Sequence, residues 1–193
     1  MRLVLASGSP RRAALLSAAG IPFVVRVADV DERLLAGETP REHVRRLAEA
    51  KARAVCVAQA RPTDDLVLAA DTVVVLDEAI LGKPRDETEA ATMLNRLSGR
   101  LHEVLTGVAV VGHAYQEVTV ETTRVWVAPL LPADITWYVA SGEPRDKAGA
   151  YAIQGLASRF VTRIDGSYTN VVGLPVAPVV QMLRRARFPL LAP

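Results

Sequence analysis

Cysteine is almost absent from this chain. Its 193 residues include one, Cys56, so no intrachain disulfide can form and the fold must rest on a packed core, a usage that fits a reducing compartment. Histidine is scarce as well. His43, His102 and His113 stand apart, with no pair at metal-ligand spacing, which argues against a zinc site. Aromatic residues make up 5%, too few for the stacking platforms that bind single-stranded nucleic acid. The formal net charge of +2 is too small to argue for nucleic-acid binding from bulk electrostatics. No apolar run is long enough to span a bilayer. The Arg11-Arg12 pair before Ala13-Ala14-Leu15-Leu16 imitates a twin-arginine export signal. However, Gly20 and Pro22 cut the apolar stretch short, and Leu3-Val4-Leu5-Ala6 reads as a strand and not as a charged leader. The expectation is a cytoplasmic protein with no membrane and no stable nucleic-acid partner.

What is present suits a folded domain. Half of the chain is apolar and 23% is charged, values of a globular protein. The length fits one domain covering residues 1–193, able to bury roughly 70% of its unfolded surface. Residues 2–6 read as a short buried strand. Ser7-Gly8 turns the chain, Ser9 suits a helix N-cap and Pro10 the first helical position, so 9–19 reads as a helix ended by Gly20. A second strand is expected over 23–27. A long helix follows over 40–59, with Val44, Leu47, Ala48, Ala52, Val55 and Cys56 on one face. Residues 66–76 form a β-branched run broken by Asp71, and 78–82 a turn region. A helix capped by Asp86 covers 87–97. Residues 101–111 and 118–127 read as an antiparallel pair, 132–140 as a helix, and 142–166 as polar loops around a short strand at 160–164. A tight turn at 166–175 leads into a last helix over 175–187. Helices and strands alternate with a hairpin in the middle, so the class is α/β with a mixed sheet.

Several segments interrupt this pattern with residues that can do chemistry. In Ser7-Gly8-Ser9-Pro10-Arg11-Arg12, a small-residue turn opens a helix, and free N–H groups, the helix dipole, two hydroxyls and two guanidiniums all favour phosphate. The plainer alternative is a capped helix with two surface arginines. Asp71 interrupts Val67-Leu68-Ala69-Ala70-Asp71-Thr72-Val73-Val74-Val75, and a carboxylate there is costly unless paired, hydrogen-bonded or metal-bound. It reads either as a strand break facing solvent or as a metal ligand or base acting on water. Asp31-Glu32 could hold Mg²⁺, which takes one or two carboxylates plus substrate phosphates. Lys51, among Ala48, Ala50 and Ala52, could point into a cleft or lie solvated on its helix. Pro84 holds Lys83 in extended backbone, from which it could reach a phosphate. Gln154, in the loop running from Ser141 to Gly155, could read a base edge through its amide.

Together these segments resemble the Maf family of nucleoside triphosphate pyrophosphatases. The match runs through nearly the whole chain in order. It takes in Ser7 and Ser9-Pro10-Arg11-Arg12, Asp31-Glu32, residues 47–52, Ala70-Asp71-Thr72-Val73-Val74 and Gly82-Lys83-Pro84. It continues through Leu97-Ser98-Gly99-Arg100 with His102, Thr122-Thr123, Asp146-Lys147-Ala148-Gly149, Ile153-Gln154-Gly155 and Asn170-Val171-Val172-Gly173-Leu174-Pro175. The resemblance implies an elongated mixed sheet flanked by helices, in two lobes with a central cleft. It implies cleavage between the α- and β-phosphates with a divalent cation, Mg²⁺ or Mn²⁺, to give a monophosphate and pyrophosphate. The family's proton-accepting aspartate matches Asp71, and its specificity positions match Arg12, Thr72 and Gln154. That combination is similar to the branch acting on dTTP and UTP, with modified pyrimidine nucleotides also open, and it departs from the 7-methyl-GTP branch at Thr72 and Gln154. On this basis Asp71, Lys51, Lys83 and Arg12 are expected to be catalytic. Ser7, Ser9, Arg11, Arg12, Thr72, Lys147 and Gln154 are expected to bind substrate, and Glu32 and Asp71 to hold metal. A homodimer and a link to cell-division arrest are further implications. The competing readings are a non-catalytic nucleotide-sensing module, an RNA-binding domain using Arg11, Arg12 and residues 184–187, and a monophosphatase.

Overall fold

A computed structural model describes residues 1–58 and 64–190. Its strands are β1 (Leu3–Leu5), β2 (Val24–Val25), β3 (Leu66–Leu76), β4 (Ala79–Leu81), β5 (Leu101–Gly112), β6 (Tyr115–Val127) and β7 (Val161–Asp165). Its α-helices are α1 (Pro10–Ala18), α2 (Pro40–Val57), α3 (Glu87–Leu97), α4 (Pro132–Ala140), α5 (Tyr168–Val172) and α6 (Val176–Arg185). The seven strands form one sheet in the order β2-β1-β3-β5-β6-β7, with β4 paired to β3. It is a mixed sheet: β1 runs parallel to β2 and β3, while β3–β4 and β6–β7 are antiparallel. The α/β expectation holds.

The chain divides into two compact units. The first comprises 1–71, 106–121 and 173–193, and the second 72–105 and 122–172. In the first unit, β1 is buried along its whole length and pairs in register with β3, Leu3 opposite Leu66 and Leu5 opposite Leu68. One core cluster gathers Leu3, Leu5, Leu16, Leu68, Val108, Leu174, Met182 and Leu183. Another gathers Val4, Ala6, Ala48, Ala52, Val55, Val67, Ala69 and Ala109. These sets come from alternate positions of β1 and β3, as a strand buried on both faces requires. Helix α2 begins with a capping box: Thr39 Oγ1 accepts from the Glu42 N–H at 3.2 Å, and the Glu42 carboxylate accepts from the Thr39 N–H at 2.9 Å. Its inner face lies close on β5, because Gly107 offers no side chain where Val44 backbone passes.

In the second unit, Asp77 and Glu78 both take positive φ, 51° and 64°, the two-residue turn that a tight hairpin needs. Helix α3 is capped by Asp86, whose Oδ1 accepts from the Glu89 N–H at 2.8 Å. Helix α4 buries Ile135, Tyr138 and Val139.

The structure corrects several boundaries. β3 is continuous through Asp71 and is not broken there. The expected turn over 78–82 is a hairpin turn at Asp77-Glu78 followed by strand β4. Two 3₁₀ turns, Ala148–Ala150 and Leu156–Phe160, occupy part of the expected loops, and the strand there is shifted to Val161–Asp165. The expected tight turn before the last helix contains helix α5. Gln59, placed at the end of the long helix, lies outside the described residues, and α2 ends at Val57.

Candidate active site

Strand β1 ends where β3 continues. Ala6 N–H still donates to the Leu68 carbonyl at 2.8 Å, and the chain then leaves the sheet through Ser7-Gly8-Ser9 into α1. Asp71 lies three residues beyond Leu68 on β3, about 10 Å further along an extended strand. It is therefore past the carboxyl end of a parallel pair, where open α/β sheets bind ligands.

Ser7 is buried at the start of this turn. Its Oγ accepts from the Ser9 N–H at 3.2 Å and from Arg12 Nη1 at 3.1 Å. Arg12 Nε donates to the Gly173 carbonyl at 2.8 Å, which fixes the guanidinium plane. Ser9 occupies the N-cap position of α1, but its side chain makes no capping hydrogen bond. The cap expected from the sequence is thus present in backbone conformation and not in side-chain chemistry. Burial pushes the Arg12 guanidinium below the ordinary arginine value, and Arg11 adds to that, while Asp71 and Glu32 oppose it. Arg12 therefore shares one electrostatic neighbourhood with Arg11, Asp71 and Glu32.

The acid side of this neighbourhood is built around Lys51. The residue lies in the buried stripe of α2 between Ala48 and Ala52, and is itself 8% exposed. Its Nζ donates to Asp71 Oδ1 at 2.7 Å and meets Glu32 Oε1 at 2.6 Å. Asp71, also 8% exposed, is therefore a buried, paired carboxylate and not a solvent-facing strand break. An ammonium held between two carboxylates tolerates burial that neither sign would tolerate alone.

The loop carrying Glu32 is clamped to α2 by residues that sequence reasoning did not single out. Arg46 Nε and Nη2 donate to Glu38 at 2.5 and 2.8 Å, and Nη2 also donates to the Arg33 carbonyl at 3.0 Å. The Arg46 hydrogen bonds hold Glu38 down to about 2, with help from the Leu35 N–H and from His43. The bond to the Arg33 carbonyl fixes backbone directly after Glu32.

The remaining expected site residues belong to the second unit. Thr72 follows Asp71 on β3 and is half-buried. Lys83 is exposed after Gly82, whose carbonyl accepts from the Gly149 N–H at 3.0 Å. Lys147 is half-buried and donates from Nζ to the Arg145 carbonyl at 3.1 Å. Gln154 is exposed between buried Ile153 and half-buried Gly155. The second unit also holds a buried imidazole, His102, whose Nε2 lies 2.8 Å from the Tyr151 hydroxyl. Burial pushes it down to about 4, so it is neutral at physiological pH. Asn170 is buried and donates to the Val104 carbonyl and to Thr123 Oγ1, each at 3.0 Å.

Among the described residues no three His, Cys, Asp or Glu side chains cluster as a metal site. Glu32 and Asp71 form a two-carboxylate set of hard oxygens, and such a set suits Mg²⁺ or Mn²⁺ when phosphate and water complete the shell. Lys51 Nζ, in contact with both, shows that the two carboxylates converge on one cation-sized position.

A protein of Symbiobacterium thermophilum named dTTP/UTP pyrophosphatase is 53% identical over 189 residues, covering 98% of this chain and 96% of the relative. One of the same name from Anaeromyxobacter dehalogenans is 54% identical over 193 residues, again covering 98% and 96%. Among solved structures, the crystal structure of a nucleoside-triphosphatase, a dITP/XTP pyrophosphatase from Mycobacterium abscessus, matches with a TM-score of 0.50 and 17% identity. It covers 96% of this chain and 97% of that one, a likeness of fold. The model of the family described as Maf-like protein matches residues 2–186, and the chain belongs to that family.

Proposed function

We propose that this protein is a metal-dependent nucleoside triphosphate pyrophosphatase that cleaves dTTP and UTP between the α- and β-phosphates, releasing the monophosphate and pyrophosphate. The observation that carries the proposal is the convergence of Glu32 and Asp71 on Lys51 Nζ, at 2.6 and 2.7 Å, inside the electrostatic neighbourhood of Arg12. Relatives more than half identical to it carry the name dTTP/UTP pyrophosphatase.

A triphosphate presents dense negative charge, and phosphoryl chemistry depends mainly on positioning and on neutralising that charge. Glu32 and Asp71 would hold the metal, which when bound supplies Lewis-acid neutralisation of phosphate oxygens. Asp71 also accepts a proton from the attacking water, the role that the family's proton-accepting aspartate has at this position. Arg11, Arg12 and Lys51, with the Ser7 and Ser9 hydroxyls and the α1 amino terminus, supply donors to phosphate oxygens. Thr72, Lys83, Lys147 and Gln154 are proposed substrate contacts on the strength of the family pattern, with Gln154 reading the base.

The test is a panel of nucleoside triphosphates incubated with Mg²⁺ or Mn²⁺ and scored for monophosphate and pyrophosphate. dTTP and UTP should be preferred. Asp71→Asn should lower kcat by about 10³-fold or more in a variant that still unfolds cooperatively. Release of orthophosphate in place of pyrophosphate, or near-normal turnover by Asp71→Asn, refutes the assignment.

A further inference from the structure

The segment from Tyr151 to Ala157 in the second unit is held at more points than a connecting loop needs. The Tyr138 hydroxyl, on a side chain with no exposed surface, accepts from the Ala152 N–H at 3.2 Å and donates to Glu143 Oε1 at 2.9 Å. The same Glu143 carboxylate accepts from the Leu156 N–H at 2.9 Å and the Ala157 N–H at 3.3 Å. Between these anchors, the Gly155 N–H donates to the Ala152 carbonyl at 3.0 Å, closing a four-residue turn with Gln154 as its third residue. Gly155 lets the carboxylate come so close: a Cβ there would lie 2.2 Å from Glu143 Oε2. Tyr151 is tied separately to His102, hydroxyl to Nε2, at 2.8 Å. Tyr151, Ala152 and Ile153 are buried, and Gln154, which follows them at the turn, is exposed.

A glutamine has three side-chain torsions and an amide that can present either end to a base. Such a side chain discriminates only if the backbone beneath it does not move. We propose that Tyr138 and Glu143 are specificity-positioning residues that hold the Gln154 backbone in place for base reading. Neither touches substrate; each acts through Gln154. This rests on the reading of Gln154 as the base-contacting residue and extends it to the frame that makes it selective. Glu143, fixed by three hydrogen bonds and packed against Gly155, is the joint of that frame.

The experiment measures kcat/KM for dTTP and dCTP in the parent, Tyr138→Phe, Glu143→Gln, Gln154→Ala and Tyr138→Phe/Gln154→Ala. Tyr138→Phe and Glu143→Gln should each lower the dTTP-to-dCTP ratio by roughly tenfold, through dTTP, with the dCTP value little changed. In the Gln154→Ala background, Tyr138→Phe should have no further effect on the ratio. A role confined to folding lowers both nucleotides together and persists in that background, which overturns the proposal. If Gln154→Ala removes discrimination while both frame variants keep it, the frame proposal fails and the reading of Gln154 stands. If Gln154→Ala leaves discrimination intact, the reading of Gln154 itself fails and the proposal falls with it. Glu143→Gln keeps the side chain's size, so it serves if Tyr138→Phe does not fold.

Discussion

Gly107→Ala asks how closely the helix that carries Lys51 is seated on the sheet. A Cβ at position 107 would lie 2.1 Å from the Val44 carbonyl oxygen and 2.4 Å from its carbon. Real Cβ contacts essentially never fall below 3.0 Å, so α2 must retreat by nearly an ångström. The obstacle is backbone within a helix, and no change of rotamer can relieve it. Overfilling a well-packed core by one methyl group costs about 1–3 kcal/mol, and a backbone obstacle places this substitution at the upper end. For a protein of this size each kcal/mol lowers the melting temperature by about 2–4 °C, giving an expected loss of roughly 6–12 °C. Lys51 lies two turns along α2 from Val44, about 10 Å, and a rigid helix carries the displacement to it. Misplacement by an ångström costs on the order of 10² in rate, so kcat should fall by a comparable factor in a variant that still unfolds cooperatively. The measurements are calorimetric melting and steady-state pyrophosphate release. Gly82→Ala is the stability control, because its Cβ would meet nothing within 4 Å. A Gly107→Ala protein that melts with the parent and turns over at the parental rate refutes the contact and the dependence of the site on it.

Two other perturbations test the charges. Lys51→Met leaves Asp71 buried without its ammonium, and should destabilise the protein by roughly 3 kcal/mol in urea unfolding at neutral pH. Lys51→Met/Asp71→Asn should recover part of that loss, because a neutral amide needs no counter-ion; a double variant no more stable than the single one sinks this account. His102 gives a pH dependence. Its ordinary value of 6.5 falls to about 4 in the fold through burial, so between those values the unfolded chain binds more protons. Its contribution to stability is therefore complete above pH 6.5 and declines as pH falls toward 4, a difference of order 3 kcal/mol. Unfolding followed across that window should show the slope in the parent and lose this component in His102→Phe, and an unchanged slope contradicts the buried neutral imidazole.

The parts of the fold legible in the sequence were those written in local chemistry. Asp86 before α3 and Ser9 before α1, with Pro10 at the first helical position, mark helix starts, and each helix begins there. Asp71 was legible as an anomaly, a carboxylate in an apolar strand, but its resolution was not. Whether it ends the strand or is absorbed into it depends on Lys51, which is 20 residues away in sequence and 2.7 Å away in space. Non-local pairing of that kind leaves no periodicity to read. The same holds for Glu143, which looked like loop polarity and is bonded to Tyr138, Leu156 and Ala157. Gly107 did carry a signal, since glycine inside a strand pattern marks a close backbone approach, although not which backbone would approach.

The charged groups of the first unit explain why a strand so apolar can hold its acid without breaking. Glu32 and Asp71 are offset by Lys51 and Arg12, and Arg12 is itself fixed by the Ser7 hydroxyl and the Gly173 carbonyl. Pairing removes the penalty that would otherwise drive Asp71 to solvent, so β3 runs on past the end of β1 and carries the carboxylate beyond the turn that opens α1. Hydrogen bonds to the Ser7 hydroxyl and the Gly173 carbonyl fix the position of Arg12, and Ser9 makes no side-chain cap to the helix. The groups that stabilise the buried acid are thus the ones proposed to meet the triphosphate: cations fixed in place beside two carboxylates that converge on Lys51. Stability and chemistry therefore depend on the same contacts here. A substitution at Lys51 should register in both unfolding and turnover.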